Sequence, residues 1–540
     1  MGAMKAGAGI AALLATTVII SSPVWAQDPD PRPQLTIAVG GLFRTMEPIE
    51  GNSTTGNRVH PNIYDMLVGR NFLEDPEGAE LAPALATAWE QSSPTVWTVT
   101  LREGVTFHNG EEMTAEDVAF SLSEQRIWGE ESLVPAGRRY TEGLVRVEAT
   151  GDYTVEIETE TPDPNLMYRF ITPLGYIVPR DYYLEAGVEG FGQAPVGTGP
   201  YRVSEYDASD HITLEAYDAY WGGEPPAESV TFQVVPEFSA RLAGMVSGEF
   251  DMMVDVPIDQ VPTVEDYEDL VYRSEGLDNY VMAAFNTLSE EELPGYGPNP
   301  VADANLRRAM VSAIDRAALV DALWGDITFA PAPFNFPDFG RYHDPDIEPM
   351  FPFDPEAAQR FLEQSDYDGE EIVFNVTAGA YPNWDLAVEY MAEQWNAMGI
   401  NVTLNVVDSW SLALQHPFEL LNMSMSTSFD GTPTRAIWGF WGPDSARATR
   451  ENDRSWAPPE AFVEAGRAFL QATEFEEKYE HFREMVRIWE EVTPAIMMWR
   501  NVASWVHQDW IDWTPIADNR MFLGPDYLVI DYEAMPADHP

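Results

Sequence analysis

The sequence of 540 residues predicts an α/β fold made of open sheets, because two separate stretches read as strand–helix–strand units. In the first unit, residues 229–235 alternate as a strand, residues 239–247 have helical spacing that ends before Gly248, and residues 250–254 resume a strand. Parallel strands need such a helical crossover, so this unit predicts a parallel sheet.

The second unit repeats this order nearer to the C-terminus. Residues 372–376 read as a strand, and a helix follows over residues 384–398 with Asn383 in its N-cap position. Gly399 ends the helix, and residues 400–407 alternate as the next strand. We therefore expect two sheets, one around each unit.

Three further helices are predicted from amphipathic spacing and cap residues. Thr114 and Asp117 resemble a capping box that opens a helix over residues 115–123. Long apolar stripes predict helices over residues 306–324 and 475–489. No repeat with a period of roughly 20 to 50 residues occurs, which argues against solenoid and propeller folds.

Acidic residues greatly outnumber basic ones. The chain has 89 Asp and Glu against 30 Lys and Arg, so its formal charge is 30 − 89 = −59. A surface this negative repels phosphates, which excludes nucleic acid as a partner. The absence of Cys excludes disulfides, thiolate metal sites and cysteine nucleophiles.

Residues 1–26 are expected to be a cleaved export signal. Lys5 supplies the positive start, residues 6–20 are small or aliphatic, and residues 24–26 fit the small-x-small cleavage rule. An apolar run of about 15 residues is short against the ~20 that span a bilayer. Because no Cys follows the cleavage site, we expect a monomer free in the periplasm, without a lipid anchor or membrane insertion.

Motifs for catalysis and metal binding are absent from the sequence. It contains no G-x-S-x-G elbow, Walker A sequence, H-E-x-x-H or EF-hand loop. The eight His residues are scattered, and no pair has the spacing of a zinc site. The sequence therefore predicts no catalytic residue, no metal site and no cofactor.

An aromatic segment, residues 438–444, is the strongest local candidate for ligand contacts. Trp438, Phe440 and Trp441 place three rings beside two glycines and Asp444 in a predicted loop. The rings would stack on an apolar or sugar face while the carboxylate binds a polar group. The alternative is a loop that packs beneath a domain edge.

A series of motifs follows one order along nearly the whole chain after the export signal. Their positions are residues 81–89, 97–110, 114–118, 195–201, 220, 248–251, 285–286, 306–309, 313–316, 354–358 and 399–402. This series resembles the family 5 extracellular solute-binding proteins, which are the peptide, nickel and opine receptors of ATP-driven importers.

The resemblance implies an α/β, two-lobed periplasmic-binding-protein fold with a ligand cleft between the lobes. The first lobe would hold residues 27–282, with an extra subdomain inserted at about residues 70–195, and would regain residues 504–540. The second lobe would hold residues 283–503. One strand–helix–strand unit lies in each predicted lobe.

The resemblance also implies how such a receptor works. It would close over a small solute and deliver it to an inner-membrane ABC permease, with hinges near Phe285, Asn286 and Ala503. A secreted hydrolase or chaperone on the same fold is the alternative function.

A di- or oligopeptide is the expected ligand. In the peptide-binding members, an Asp of the second lobe pairs with the amino terminus of the ligand, and Asp444 is the matching candidate, with Asp430 behind it. Arg435 would face a ligand carboxylate bidentately. In the first lobe, Gly51, Asn52, Ser53 and Thr54 resemble the loop of the family that lies along the ligand, where backbone groups would bind an extended peptide. An oligosaccharide or sugar conjugate is the alternative ligand, and nickel and haem are disfavoured because no His cluster occurs.

Overall fold

Strands and short helices alternate along the chain. The computed structural model describes residues 31–540 except 76, 77, 79, 142, 379, 417, 428–431, 451, 452, 473, 538 and 540. The strands are β1 Gln34–Val39, β2 Val68–Arg70, β3 Leu81–Pro83, β4 Ala86–Ser93, β5 Val96–Leu101, β6 Leu144–Gly151, β7 Thr154–Thr159, β8 Tyr201–Asp207, β9 His211–Ala216, β10 Ser229–Val234, β11 Met252–Val254, β12 Leu270–Phe285, β13 Ile372–Thr377, β14 Val402–Val407, β15 Leu420–Ser426, β16 Ala495–Gln508, β17 Ile511–Trp513 and β18 Leu528–Ile530.

The helices pack on both faces of these strands. The α-helices are α1 Thr54–Ile63, α2 Ala115–Ser121, α3 Arg180–Gln193, α4 Phe238–Ser247, α5 Val261–Glu265, α6 Ala304–Ser312, α7 Arg316–Trp324, α8 Pro355–Gln364, α9 Trp384–Ala397, α10 Trp410–Ala413, α11 Ala446–Thr449, α12 Glu460–Gln471 and α13 Phe475–Val492. Two π-helical turns, Glu124–Trp128 and Thr434–Gly439, and several short 3-10 turns complete the helical segments.

A single mixed sheet runs through both lobes. Its strand order is β14-β13-β15-β12-β16-β11-β1-β10-β9-β8. The expectation of two separate sheets is therefore wrong, because β12 and β16 pair antiparallel along nearly their whole lengths and join the two parallel groups. One group contains β10, β1 and β11, and the other contains β14, β13 and β15.

Both strand–helix–strand units are confirmed. β10, α4 and β11 form the first, with Gly248 ending the helix at a φ of 74°, although β1 lies between the two strands. β13, α9 and β14 form the second, and its strands are direct neighbours. Asn383 precedes α9, but its side chain donates to the carbonyl of Leu323 and does not cap the helix.

The predicted helices at residues 115–123 and 306–324 have different outcomes. Thr114 and Asp117 form the expected capping box of α2. The single helix expected over residues 306–324 is wrong, since the chain forms α6 and α7 with a break between them. Asp315 causes the break, because its side chain accepts from the backbone N–H of Ala318 and starts a new helix.

The buried apolar residues divide into cores on either side of the middle of β12. Tyr280, Met282 and Ala284 face one core of the second lobe, while Val281 and Ala283 face the core on the opposite side of the sheet. This alternation follows from the two-residue period of a strand. The first lobe has cores on both faces of its own part of the sheet and carries the inserted four-stranded sheet β4-β5-β7-β6. The fold is therefore α/β and two-lobed.

Candidate ligand site between the two lobes

The parallel strands of both lobes end at the same place. β15 ends at Ser426, which pairs with Asn279 of β12, and β11 ends at Val254, which pairs with Trp505 of β16. The register of β12 against β16 is irregular between Gly276 and Tyr280, in this same region. In open α/β sheets, ligands bind beyond the carboxyl ends of the parallel strands. The two carboxyl edges thus mark a candidate site where the paired strands β12 and β16 pass from one lobe to the other, near residues 276–280 of β12. This region is called the crossing of β12 and β16 below.

A cluster of buried charges lies at this crossing. Arg70 Nη1 is 2.8 Å from Asp278 Oδ2 and 3.7 Å from Asp518 Oδ2. Arg500 Nη2 is 3.9 Å from Asp278 Oδ1, and Arg520 forms an ion pair with Asp518. Every one of these side chains is buried. Burial of so many charges is tolerated only because each has a partner of opposite sign.

Asp278 ties three parts of the chain together. Its N–H donates to the carbonyl of Ala517, and its own carbonyl accepts from the N–H of Thr427. Burial, with a smaller contribution from the negative charge of Asp338, raises the pKa of Asp278 to about 7, and the charges of Arg70 and Arg500 oppose this shift. The free-energy cost of burying the charged carboxylate is therefore larger than its electrostatic stabilisation by the two guanidinium groups.

Buried hydroxyl and amide groups lie beneath the carboxyl edge of the second lobe. Tyr280 donates to Asp338 Oδ1 over 2.8 Å, and Thr427 donates to the other oxygen of Asp338. Asn279 Nδ2 lies 3.2 Å from Ser424 Oγ, and its own Oδ1 is buried without a hydrogen-bond donor among the described residues. An unpaired buried acceptor at the candidate site is a group that a hydrogen-bond donor could satisfy.

The edge of the first lobe carries an ion pair between a buried arginine, Arg58, and an exposed carboxylate, Asp255. Asp255 follows β11, and its carboxylate accepts two hydrogen bonds from Arg58 of α1 at 2.8 and 2.5 Å. Arg241 of α4 donates to the carbonyl of Asp255 over 3.3 Å. Helices from two parts of the first lobe therefore converge on one residue at its carboxyl edge.

The predicted first-lobe loop is folded against the start of α1. Gly51 is buried, and the Ser53 side chain caps the helix. Asn52 Nδ2 donates to the Tyr140 hydroxyl over 3.3 Å, whereas Thr54 is exposed. Ser53 and Asn52 thus have structural partners, and a ligand role for these four residues stays a prediction.

The aromatic segment packs into the second lobe. Trp441 is fully buried, and its ring lies 5.6 Å from the Trp456 ring and 5.4 Å from the Trp489 ring. The Trp438 ring covers Gly466, where an added Cβ would lie 2.0 Å from a ring carbon. Phe440 is half-buried and contacts the same core. Trp441 therefore has the packing role that the sequence left open as the alternative, with no ring surface left for a ligand.

Two of the three charged candidates of the second lobe lie among the described residues. Asp444 and Arg435 are both exposed, and Asp430 lies outside the described residues. Their roles toward a ligand amino or carboxylate group stay predictions.

Only one of the expected hinge residues lies at the crossing. Ala503 pairs there with Glu275. Phe285 and Asn286 lie at the far end of β12, where Asn286 is bonded to Glu419 and Phe418 within the second lobe. Asn286 is therefore held against its own lobe, and the irregular pairing between Gly276 and Tyr280 is the better hinge candidate.

Sequence reasoning missed Arg70, Asp278 and Asp255. Their local sequences carry no motif, and single carboxylates do not stand out in so acidic a chain. Among the described residues, no group of three or more His, Asp or Glu is placed to bind a metal ion. No helix in the same part of the chain is long and apolar enough to cross a membrane.

Comparison with known proteins gives consistent matches. The sequence profile of the bacterial extracellular solute-binding proteins, family 5 (middle region), matches residues 80–447. The chain is 26% identical over 412 residues to a glutathione-binding protein of Pectobacterium atrosepticum, covering 74% of this chain and 73% of that protein. It is 28% identical over 389 residues to a heme-binding protein of Haemophilus influenzae, covering 67% of each.

A solved structure has the same fold. It is the periplasmic binding protein DppA of Helicobacter pylori in complex with a peptide, with a TM-score of 0.73 and 21% sequence identity. The match covers 93% of this chain and 99% of that one.

Proposed function

The chain belongs to the bacterial extracellular solute-binding proteins, family 5, which are transport receptors and not enzymes, and from this premise we propose that it captures a short peptide between its lobes for import. The bound receptor would then dock on the permease of an ABC importer in the inner membrane. Ligand binding favours the closed form because only that form contacts the ligand from both lobes.

One observation carries this proposal. The carboxyl ends of β1 and β11 in the first lobe and of β13 and β15 in the second point toward the crossing of β12 and β16. A solute at that point would meet the loops of both lobes at once. The polar groups at this edge, with Asn279 among them, suit the N–H and C=O groups of a peptide backbone.

The choice of a peptide over a sugar follows from the aromatic segment and from the relatives. Trp441 is fully buried and the Trp438 ring packs on Gly466, so two of the three rings that favoured a sugar have packing roles in the second lobe. One relative is a glutathione-binding protein, and one structural neighbour contains a bound peptide. Glutathione is itself a small peptide.

Export and domain organisation complete the proposal. Residues 1–26 would be removed on export, leaving a monomer in the periplasm. The first lobe would hold residues 27–282 and 504–540 and the second lobe residues 283–503. The division of the apolar cores along β12 supports a boundary close to these bounds, a few residues earlier than 283, because Tyr280, Val281 and Met282 pack in the second-lobe cores. The hinge would lie at residues 276–280 and near Ala503.

Mass spectrometry of the solute that the purified protein releases on denaturation tests the proposal. We expect a peptide of a few residues at close to one molecule per chain. A released glycan or haem would contradict the peptide assignment. Incubation of the protein with the same peptide should leave it intact, whereas hydrolysis would contradict a receptor role.

A further inference from the structure

Asp255 has a backbone conformation that favours glycine. Its φ is 58°, in the left-handed region, where a Cβ is strained. Asp and Asn tolerate this region better than other residues with a side chain. Strained residues of this kind occur often at functional sites. The presence of a side chain where glycine would be easier indicates that the carboxylate has a use.

Arg58 holds this carboxylate in one orientation. The two Arg58 Nη atoms lie 2.8 and 2.5 Å from the two carboxylate oxygens. The Arg58 side chain is only 3% exposed, whereas the Asp255 side chain is 53% exposed. Because each carboxylate oxygen has two lone pairs, the bidentate contact leaves both oxygens able to accept a further bond.

The exposed charged group at this place is the Asp255 carboxylate, because its partner Arg58 is buried. Arg241 lies behind Asp255 and is buried, and it donates to the carbonyls of Val235, Pro236 and Asp255. The Nη atoms of both guanidinium groups are therefore bonded to protein oxygens. A solute that approaches from the cleft meets the carboxylate first.

The position of Asp255 places it where the first lobe meets the second. Its N–H donates to the carbonyl of Ser504 on β16, and the next residue, Val256, donates to the Ser504 hydroxyl. Ile258, three residues after Asp255, packs against cores of both lobes. The carboxylate thus stands at the carboxyl edge of β11, beside the crossing strands.

We infer that Asp255 is a ligand-binding residue that accepts hydrogen bonds from a positively charged side-chain group of the solute. This inference rests on the proposed peptide function and narrows it to peptides that carry a lysine-like ammonium. Arg58 acts as a positioning residue, since it orients the carboxylate and does not face the solute.

Calorimetric titration of the full chain with four tripeptides tests the inference. The probes are trialanine and the three peptides that carry one lysine and two alanines. We expect one lysine peptide to bind at least about fivefold more tightly than trialanine, as a partly exposed charged hydrogen bond would give. In Asp255→Asn this preference should fall to about one, while the affinity for trialanine stays within about twofold.

Matched variants separate a binding role from a structural one. Asp255→Asn retains a residue that tolerates a positive φ and an oxygen that Arg58 can bond. Asp255→Gly gives the same comparison without backbone strain if the Asn variant does not fold. Asp259→Asn removes an equal charge from an exposed residue nearby and should keep the lysine preference.

Three results would overturn the inference and leave the peptide receptor standing. They are equal affinity of the wild-type protein for all four peptides, an equal loss for all four peptides in the Asp255 variants, and a lysine preference that survives in those variants. Failure of the wild-type protein to bind any of the four would contradict the peptide assignment and this inference together.

Discussion

Arg70 of β2 and Asp278 of β12 form a buried ion pair, with Nη1 2.8 Å from Oδ2. The pair attaches a strand of the first lobe to the strand that crosses into the second. The backbone carbonyl of Asp278 also accepts a hydrogen bond from the N–H of Thr427, which follows β15 of the second lobe. One carboxylate residue therefore connects both lobes at the candidate hinge.

Removal of Arg70 should destabilise the protein strongly. Arg70→Met leaves Asp278 buried beside only the more distant Arg500, so we expect a loss of about 3–5 kcal/mol in the free energy of unfolding. Urea denaturation measures this loss. Arg146→Met is the matched control, since Arg146 pairs with Glu158 at the exposed surface and its loss should change stability far less. Equal losses in the two variants would show that the buried ion pair contributes no more to the free energy of unfolding than the exposed one.

Asp278 should make stability fall as pH rises. Its pKa is about 7 in the folded chain and 3.8 in the reference state, so the folded state binds more protons between these values. The contribution to stability is complete below about pH 4 and is lost as pH rises through 7. Asp278→Asn should remove this slope, as measured by urea denaturation of both proteins between pH 4 and 8. If the free energy of unfolding changed with pH equally in the two proteins, Asp278 would not be the source of the slope.

His60 should have the opposite effect. Burial lowers its pKa to about 3, against 6.5 in the reference state, so the unfolded state binds more protons below pH 6.5. Stability is therefore lost as pH falls, by about 2 kcal/mol between pH 7 and pH 5. In His60→Leu this loss should disappear.

His211 is the control for His60. It is bonded to Asp210 and Glu205, and these bonds raise its pKa, so its contribution is lost as pH rises. The stability difference between the wild-type protein and His211→Asn should change with pH in the sense opposite to His60. A steeper acid loss in His60→Leu than in the wild-type protein would refute the prediction.

Asp444 and Trp441 should separate binding from stability. Asp444 is exposed, so Asp444→Ala is expected to weaken the binding of the released peptide without a change in unfolding temperature. Trp441 is fully buried, so Trp441→Phe should cost roughly 1–3 kcal/mol of stability and leave affinity nearly unchanged. Calorimetry and thermal unfolding measure both quantities. Unchanged affinity in Asp444→Ala would remove Asp444 from the site.

Gly276 should matter for closure. A Cβ on Gly276 would lie 2.8 Å from Arg500 Cδ, so Gly276→Ala must displace the Arg500 side chain from the crossing. We expect a loss of about 1–3 kcal/mol and a smaller ligand-induced change in the radius of gyration, measured by small-angle X-ray scattering. Gly151→Ala is the control, because its nearest neighbour atom would be 3.7 Å away. A full ligand-induced change in Gly276→Ala would place the hinge elsewhere.

Local sequence patterns predicted the elements that depend on near neighbours. α4, α9 and their flanking strands were found from apolar periodicity, and Gly248 and Gly399 marked the helix ends because glycine adopts positive φ without strain. The continuous apolar pattern over residues 306–324 wrongly predicted one helix. Asp315 caps a second helix within this stretch, and an apolar pattern alone does not reveal such a break.

The candidate site was less predictable. The rings of residues 438–441 stood out by composition, yet composition does not tell a core ring from a ligand-facing one. Asp255 carried no local signal, since its role depends on a partner that the fold brings from α1.

The sequence by itself determined the family, the order of the elements and the acidic, cysteine-free character of the chain. These properties depend on motifs, spacing and composition along the chain. The tertiary structure alone decided that one sheet joins both lobes and that Arg70 meets Asp278 across 208 residues and Arg58 meets Asp255 across 197. Such contacts arise from the pairing of β12 with β16 and of β1 with β11, and charges with no local motif find their partners only after those strands have paired.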